Sequence, residues 1–324
     1  MEENSKPLTS VIAAVGPADP VLDRFVQAAL GSSVPVELVL VDLGVAPEEA
    51  AKLKSLAESD SRVVWLTGHG KTGLAMARNL GAKAAKGQFL LFVDTDCVLP
   101  SDAVEKLYAE EARLRPPFML TARLVDEKGN DIRACRRALL TPKTALIEAL
   151  HLYGYFPKER LDYKNEPLPT KTSPVPAISG SFMFMRAVDF WDLRGFDEYY
   201  FFHVLDMDLC RRFRRNLGEI YFVPHVVVAK FGGVEVESNL AQEIDKAKGF
   251  VHYFHETFGH EYPQPFLWVI DAAILGRLGT LLGVAYLKDL MDGKKKAPVQ
   301  KAAPKKVASA KVAPVKAAKK PEKK

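Results

Sequence analysis

The first 125 residues alternate short β-branched or apolar runs with helical patterns, and no other feature constrains the fold as strongly. TSVIAAV, VELVLVD, RVVWL, QFLLFVD and FMLTARLV have the length and composition of strands. Between them PVLDRFVQAAL, PEEAAKLKSLAE, KTGLAMARNLGAKAAK and PSDAVEKLYAEEARL carry helical spacing. Strand–helix alternation with short links implies βαβ units, hence an α/β fold with a mostly parallel sheet and helices on both faces. Such sheets bind ligands beyond the carboxyl ends of their strands. The loops after Val15, Val41, Leu66 and Val93 are therefore where chemistry is expected.

Two of those loops carry polar residues of interest. After Leu66 comes GHGKTG, residues 68–73, which invites a P-loop reading. A Walker A loop needs a second glycine five positions before Gly70, and that position is Trp65. A bulky ring cannot stand where backbone must curl around an anion, so the P-loop reading fails. After Val93 comes Asp94-Thr95-Asp96. Two carboxylates one residue apart at a strand's carboxyl end can project into one crevice, where hard oxygen ligands suit Mg²⁺ or Mn²⁺ and the diphosphate of a nucleotide. The plainer alternative is a turn in which Asp96 or Ser101 caps the following helix.

Beyond residue 125 the pattern loosens. Residues 126–175 hold a helix near 142–151 and a Pro-rich, Lys-containing stretch, long enough to read as a functional insertion. A strand and short helix follow in ISGSFMFMRAVDFWDLRGFDE, then a helix in LDMDLCRRFRRNLG closed by Gly218, then one or two strands in EIYFVPHVVVAKF and a helix near 237–257. Phe266–Leu290 is apolar and long enough to span a bilayer, yet Asp271 and Arg277 lie inside it. A mid-helix Arg costs roughly 2.5–3.5 kcal/mol on insertion scales, so the expectation is a helix lying in the membrane plane. A helix packed on the domain, or a true span, are the other readings.

The net charge of +5 is misleading, because residues 294–324 contain twelve Lys and a single Glu. The remaining chain is acidic. A Lys/Ala/Pro tail buries no core and is expected to be disordered. It would be attracted to anionic lipid at ~1 kcal/mol per Lys near the surface. Nucleic acid is a weaker expectation, since no aromatic residues interleave to stack on bases. Three scattered cysteines without C-x-x-C spacing argue against a disulfide framework or zinc site and fit a reducing cytosol. The acidic, polar start MEENSKPLTS does not read as a secretory signal.

At this point the motifs resemble a known family. GLAMARNLGAKAAKGQFLLFVDTDCVLPSDAVEKL is similar to the nucleotide-sugar half of the family 2 glycosyltransferases of GT-A fold, of the bacterial rhamnosyltransferase-like type. ISGSFMFMRAVDFWDLRGFDEYYFF and LDMDLCRRFRRNLGEIYFVPHVVVAKFGG resemble that family's acceptor half, and the two halves stand in the family's order over roughly residues 8–260. The resemblance implies domains at 1–260 (donor half 8–125, acceptor half 126–260), an apolar helix at 261–292 and a tail at 293–324. It implies inverting transfer of a sugar from a nucleotide-diphosphate donor to a hydroxyl of a glycan or lipid-linked acceptor, in cell envelope polysaccharide synthesis. The enzyme would be cytoplasmic and peripheral to the inner face of the membrane, bound through residues 266–324.

Residue by residue, the resemblance implies the following. Asp42 would bind the base; Lys71, Arg78, Asn79, Asp94, Thr95 and Lys230 would line the donor; Asp94 and Asp96 would hold Mg²⁺ or Mn²⁺. Gly180 and Ser181 would meet the acceptor, and Asp206 would be the general base, with Asp208 structural through an i to i+4 pair with Arg212. The chain also departs from the family. The usual Glu-Asp pair is Leu205-Asp206, the second-strand loop is Leu43-Gly44-Val45, and the family's late His is Lys230, so that a ligand is replaced by a cation. These losses cluster at the nucleotide site and leave open a second reading, a weakened GT-A-fold binding or scaffold protein recruited to membrane.

Overall fold

The computed structural model describes residues 9–17, 19–68, 73–149, 152–156, 161, 163, 166–231 and 240–291. Lys71, residues 157–160 of the Pro-rich stretch and the 293–324 tail lie outside the described residues. By contacts the chain divides into one unit over Met1–Leu282 and another over Gly283–Lys324.

Four strands expected from the alternation form one half of the main sheet. β1 (Thr9–Val15), β2 (Val36–Asp42), β3 (Val63–Leu66) and β4 (Phe89–Val93) lie in the order β3-β2-β1-β4, all parallel. Helices α1 (Leu22–Leu30), α2 (Pro47–Ser59) and α3 (Leu74–Ala84) make the crossovers. Every residue of β4, FLLFV, is buried, as a strand covered on both faces requires.

The other half departs from a purely parallel sheet. After the short β5 (Cys97–Val98) and α4 (Ala103–Glu111) comes β6 (Phe118–Val125), which does not pair with β4. β7 (Arg136–Arg137), α5 (Pro142–Ala149), β8 (Ser173–Pro174) and β9 (Ala177–Ile178) follow, and then β10 (Phe182–Arg186) inserts antiparallel between β4 and β6. The apolar run FMFM allows this, because both faces of the slot are dry. Running antiparallel, β10 places its preceding loop against the carboxyl end of β4: Phe182 pairs with Val93, and Asp94 N–H donates to Ser181 O at 3.2 Å.

The remaining elements are α6 (Ala187–Asp192), α7 (Leu205–Asn216), β11 (Glu219–Lys230), α8 (Leu240–Phe258) and α9 (Gln264–Met291). EIYFVPHVVVAK is one strand, parallel to β6, with a register irregularity between Val223 and Val227. Pro224 falls in that gap, where its missing N–H breaks no ladder bond. The far end of β11 pairs antiparallel with β5, matching Lys230 to Cys97, and Phe231 N–H donates to Asp96 O at 2.7 Å. Lys230 thus lands beside Asp96 through strand register.

α9 buries one stripe, with Leu267 and Ile270 inside and Phe266 and Ile274 packed against the core. His255 Nε2 of α8 lies 2.8 Å from Asp271 Oδ2, which accounts for one of the two charges inside the apolar run. The opposite face exposes Trp268 (62%), Val269 and Leu275. Among the described residues, Gln264–Val284 is the one stretch long and apolar enough to cross a membrane.

Candidate active site

The carboxyl edge of the sheet gathers polar side chains into a cleft of about 310 Å³ lined by Arg78, Asp94, Arg137, Ser179–Ser181 and Asp206. At one end stands the D-x-D turn. Lys230 Nζ donates to Asp94 Oδ2 at 3.0 Å, to Asp96 Oδ1 at 2.7 Å and to Ser181 Oγ at 3.2 Å. Arg78, 2% exposed, donates from Nη2 to Asp94 Oδ1 at 2.9 Å and to Gly180 O at 2.8 Å. Burial raises the Asp94 pKa, but the cations of Lys230 and Arg78 outweigh it and bring the carboxyl down to about 2. Asp96 goes the other way, raised by burial against the pull of Lys230. Burial lowers the Lys230 pKa, yet Asp94, Cys97 and Asp96 together outweigh it and hold the ammonium above its ordinary range.

At the other end, Asp206 sits in the first turn of α7. Its Oδ2 accepts from Gly180 N–H at 2.9 Å and Arg137 Nη1 at 3.2 Å, and its Oδ1 accepts from Met207 N–H at 2.9 Å. A carboxylate has about four acceptor positions, so one remains for an incoming hydroxyl. Val204, just before α7, has a φ of 72°, an outlier for a β-branched residue, and its side chain is buried. This turn aims Asp206 back toward the sheet edge.

The Ser179-Gly180-Ser181 loop joins the two ends. Ser179 Oγ receives Arg137 Nη2 at 3.4 Å and lies 3.2 Å from Ser181 Oγ, which in turn receives Lys230. A Cβ on Gly180 would stand 2.8 Å from Arg78 Nη1 and 3.3 Å from the Asp206 Cβ, so only glycine fits between them.

Several expected residues have other tasks here. Asn79 does not face the cleft. Its Nδ2 donates to Phe196 O at 2.8 Å and to Glu198 Oε1 at 3.0 Å, and its Oδ1 accepts from Phe196 N–H at 2.9 Å. Both amide functions hold the turn at Gly195, whose φ of +73° suits glycine. Asp42 uses Oδ1 to close its own turn, accepting from Gly44 and Val45 N–H at 2.7 and 2.9 Å. Arg78 ties Asp94 to the Gly180 loop, and Thr95 is buried within the turn. Asp208 accepts twice from Arg212, whose guanidinium also donates to Leu193 O and Gly195 O, so this pair fastens α7 to the same turn.

Sequence reasoning missed Arg137, Ser179, His203 and Lys246, all lining the cleft. Ser179 adjoins a recognised glycine and was within reach. Arg137 is one of three arginines in RACRRALL with no motif around it; the β7–β9 pairing of Arg137 with Ala177 brings it to Asp206. Burial lowers the His203 pKa, which favours a neutral ring in the cleft.

A divalent ion at a diphosphate is commonly held by one or two carboxylates together with the substrate's phosphates, and the D-x-D offers two. Both, however, already share the Lys230 ammonium. The residues present therefore do not fit a resident Mg²⁺ or Mn²⁺ while Lys230 is seated.

Comparison with known proteins agrees with this architecture. Residues 10–193 match the profile of Glycosyl transferase family 2. An uncharacterised glycosyltransferase of Haemophilus influenzae is 30% identical over 125 residues, 38% of this chain and 47% of that protein. Glycosyltransferase GlyG of Streptococcus pneumoniae is 32% identical over 75 residues, 23% of this chain and 25% of that one. The matched segment thus spans less than half of either relative's length. Among solved structures, GalNAc-T7 with UDP, GalNAc and Mn²⁺ superposes with a TM-score of 0.56 at 18% identity, over 81% of this chain and 52% of that one. A mannosyltransferase of Pyrobaculum calidifontis in complex with GDP-Man and Mn²⁺ gives 0.52 at 15% identity, over 88% and 76%. With the mostly parallel sheet, the inserted antiparallel strand and the D-x-D edge in place, the chain belongs to glycosyl transferase family 2 and has the GT-A fold.

Proposed function

We propose that this protein transfers a sugar, with inversion, from a nucleotide-diphosphate donor to a hydroxyl of a glycan or lipid-linked acceptor. The observation that carries the reading is Asp206, held by three donors with one acceptor position open and bonded to the Ser179–Ser181 loop that also meets the D-x-D cluster. In the step, the acceptor oxygen attacks the anomeric carbon while its proton passes to an Asp206 oxygen. The bond from that carbon to the diphosphate oxygen breaks, and the nucleoside diphosphate leaves with the electron pair. A single displacement inverts the carbon. Arg78 and Lys230 stand at the donor end, where the leaving group's charge develops.

Two further observations support a lipid-linked acceptor at a membrane, as in the assembly of cell envelope polysaccharide. An apolar cavity of about 100 Å³, lined by Leu146, Phe250, Phe254, Ile274 and Leu278, shares Lys246 and Phe250 with the polar cleft. The exposed apolar face of α9 lies on the helix that walls this cavity. Such a face, followed in sequence by the Lys-rich tail, suits the cytoplasmic surface of an anionic bilayer.

The test is a thermal-shift screen of UDP-, dTDP- and GDP-linked sugars with and without divalent ion, followed by transfer assays on the sugar that binds. A melting shift with one donor class and sugar transfer to extracted lipid-linked glycan is the expected result. If no nucleotide sugar binds, the scaffold reading takes its place.

A further inference from the structure

We propose that the Lys230 ammonium takes the place of a divalent cation between Asp94 and Asp96, so that the donor's diphosphate binds without a metal ion. This rests on the cleft being a nucleotide-sugar site and adds the identity of its charge carrier. The ammonium has three N–H bonds, and all three point at oxygens: Asp94 Oδ2, Asp96 Oδ1 and Ser181 Oγ. The second oxygen of Asp94 is taken by Arg78. Two carboxylates therefore meet two fixed cations, and the cluster is neutral with nothing bound.

Neutrality matters for an incoming diphosphate. Two uncompensated carboxylates would repel it, and a divalent ion is one way to reverse that field. Here the chain supplies the compensation covalently. The pairing of β11 with β5 at Cys97 and the bond from Phe231 N–H to Asp96 O fix the Lys230 backbone beside the D-x-D, and its largely buried ammonium is held by three bonds. An arriving ion would have to displace the ammonium from both carboxylates and then lie beside it, charge against like charge. An arriving phosphate oxygen needs only the Ser181 bond of Lys230, the longest of the three at 3.2 Å.

The experiment is calorimetric titration of the full chain with UDP, GDP and dTDP, in EDTA and again with Mn²⁺, on the wild type, Lys230→Ala and Lys230→Gln. Wild-type affinity for the preferred nucleotide should change by no more than about two-fold between EDTA and Mn²⁺. Lys230→Ala should lose at least about ten-fold in EDTA, since one partner of a part-buried charge cluster is gone, and Mn²⁺ should restore it. A lysine with a merely structural role would lower melting temperature without that rescue. Electron paramagnetic resonance with Mn²⁺ alone should show the ion held by Lys230→Ala and not by the wild type. If the alanine variant does not fold, Lys230→Gln serves in both arms. Wild-type binding that collapses in EDTA, or wild type that holds Mn²⁺ by itself, overturns the proposal. Binding of none of the nucleotides under either condition overturns the glycosyltransferase reading and this proposal with it, a result distinct from metal dependence.

Discussion

The two ends of the cleft handle negative charge in opposite ways. At the D-x-D end, Asp94 and Asp96 are matched by Arg78 and Lys230, and Asp94 keeps its charge down to about pH 2. At the α7 end, Asp206 is held by two backbone N–H groups and one guanidinium that it shares with Ser179. The first arrangement uses up carboxylates to fix cations where an anion must sit. The second fixes a carboxylate while leaving one of its acceptor positions for a proton donor. On the proposed reading, one sheet edge would build an anion seat and a proton acceptor from the same residue type, with the partners deciding which is which.

The strongest way to break this contrast is Asp206→Asn. The amide keeps the shape but cannot take a proton, so transfer should fall by about 10²–10⁴-fold with a far smaller change in nucleotide affinity. Steady-state kinetics beside calorimetry would read both, and undiminished transfer would place the base elsewhere. Next in size is Arg137→Met. A loosened Asp206 should lower kcat by up to about 10²-fold with little change in donor KM, shift the pH–rate profile, and recover in part in Arg137→Lys. A loss confined to KM would make Arg137 an acceptor-binding group instead.

A smaller effect is the order of titration at the D-x-D. Carbon-13 chemical shifts of the side-chain carboxyls should show Asp94 titrating at about 2 and Asp96 above its ordinary value. Because the folded pKa of Asp94 lies below its unfolded value, its stabilising contribution is present above about pH 4 and is lost as pH falls toward 2. Lys230→Gln should move Asp94 upward, and equal titration of both carboxyls in the wild type would refute the assigned pairing. The smallest expected effect is at the far side of the fold. Replacing Trp268 and Leu275 by Ser should weaken sedimentation with anionic vesicles while leaving the melting temperature within a degree or so, because both side chains are exposed. Unchanged sedimentation would remove α9 from the membrane contact.

The parallel half of the sheet was readable because each βαβ unit is local and each strand is buried on both faces, which shows as an apolar run. That Asp94 and Asp206 stand near each other was expected from a family resemblance, and both line the same cleft. What escaped depends on long-range register. The insertion of β10 between β4 and β6 leaves no mark in FMFMR itself, and the meeting of Lys230 with Asp96 spans 134 positions. The departure from His at position 230 was visible in sequence, but its meaning came only from the strand pairing that seats the ammonium on both carboxylates. Asn79 shows the same dependence on distant pairing: a motif asparagine beside the donor loop clasps, in three dimensions, a turn 117 residues later.

The Ser179-Gly180-Ser181 loop has a thermodynamic meaning as well as a geometric one. It is bonded to Lys230 at one side and to Asp206 at the other, and Gly180 leaves no slack between Arg78 and Asp206. If the proposed reading holds, whatever shifts Ser181 when a diphosphate arrives would be felt at Asp206, and by reciprocity an acceptor that engages Asp206 would alter the affinity for donor. The two substrates would then be coupled ligands, and substitutions at the two ends would combine non-additively.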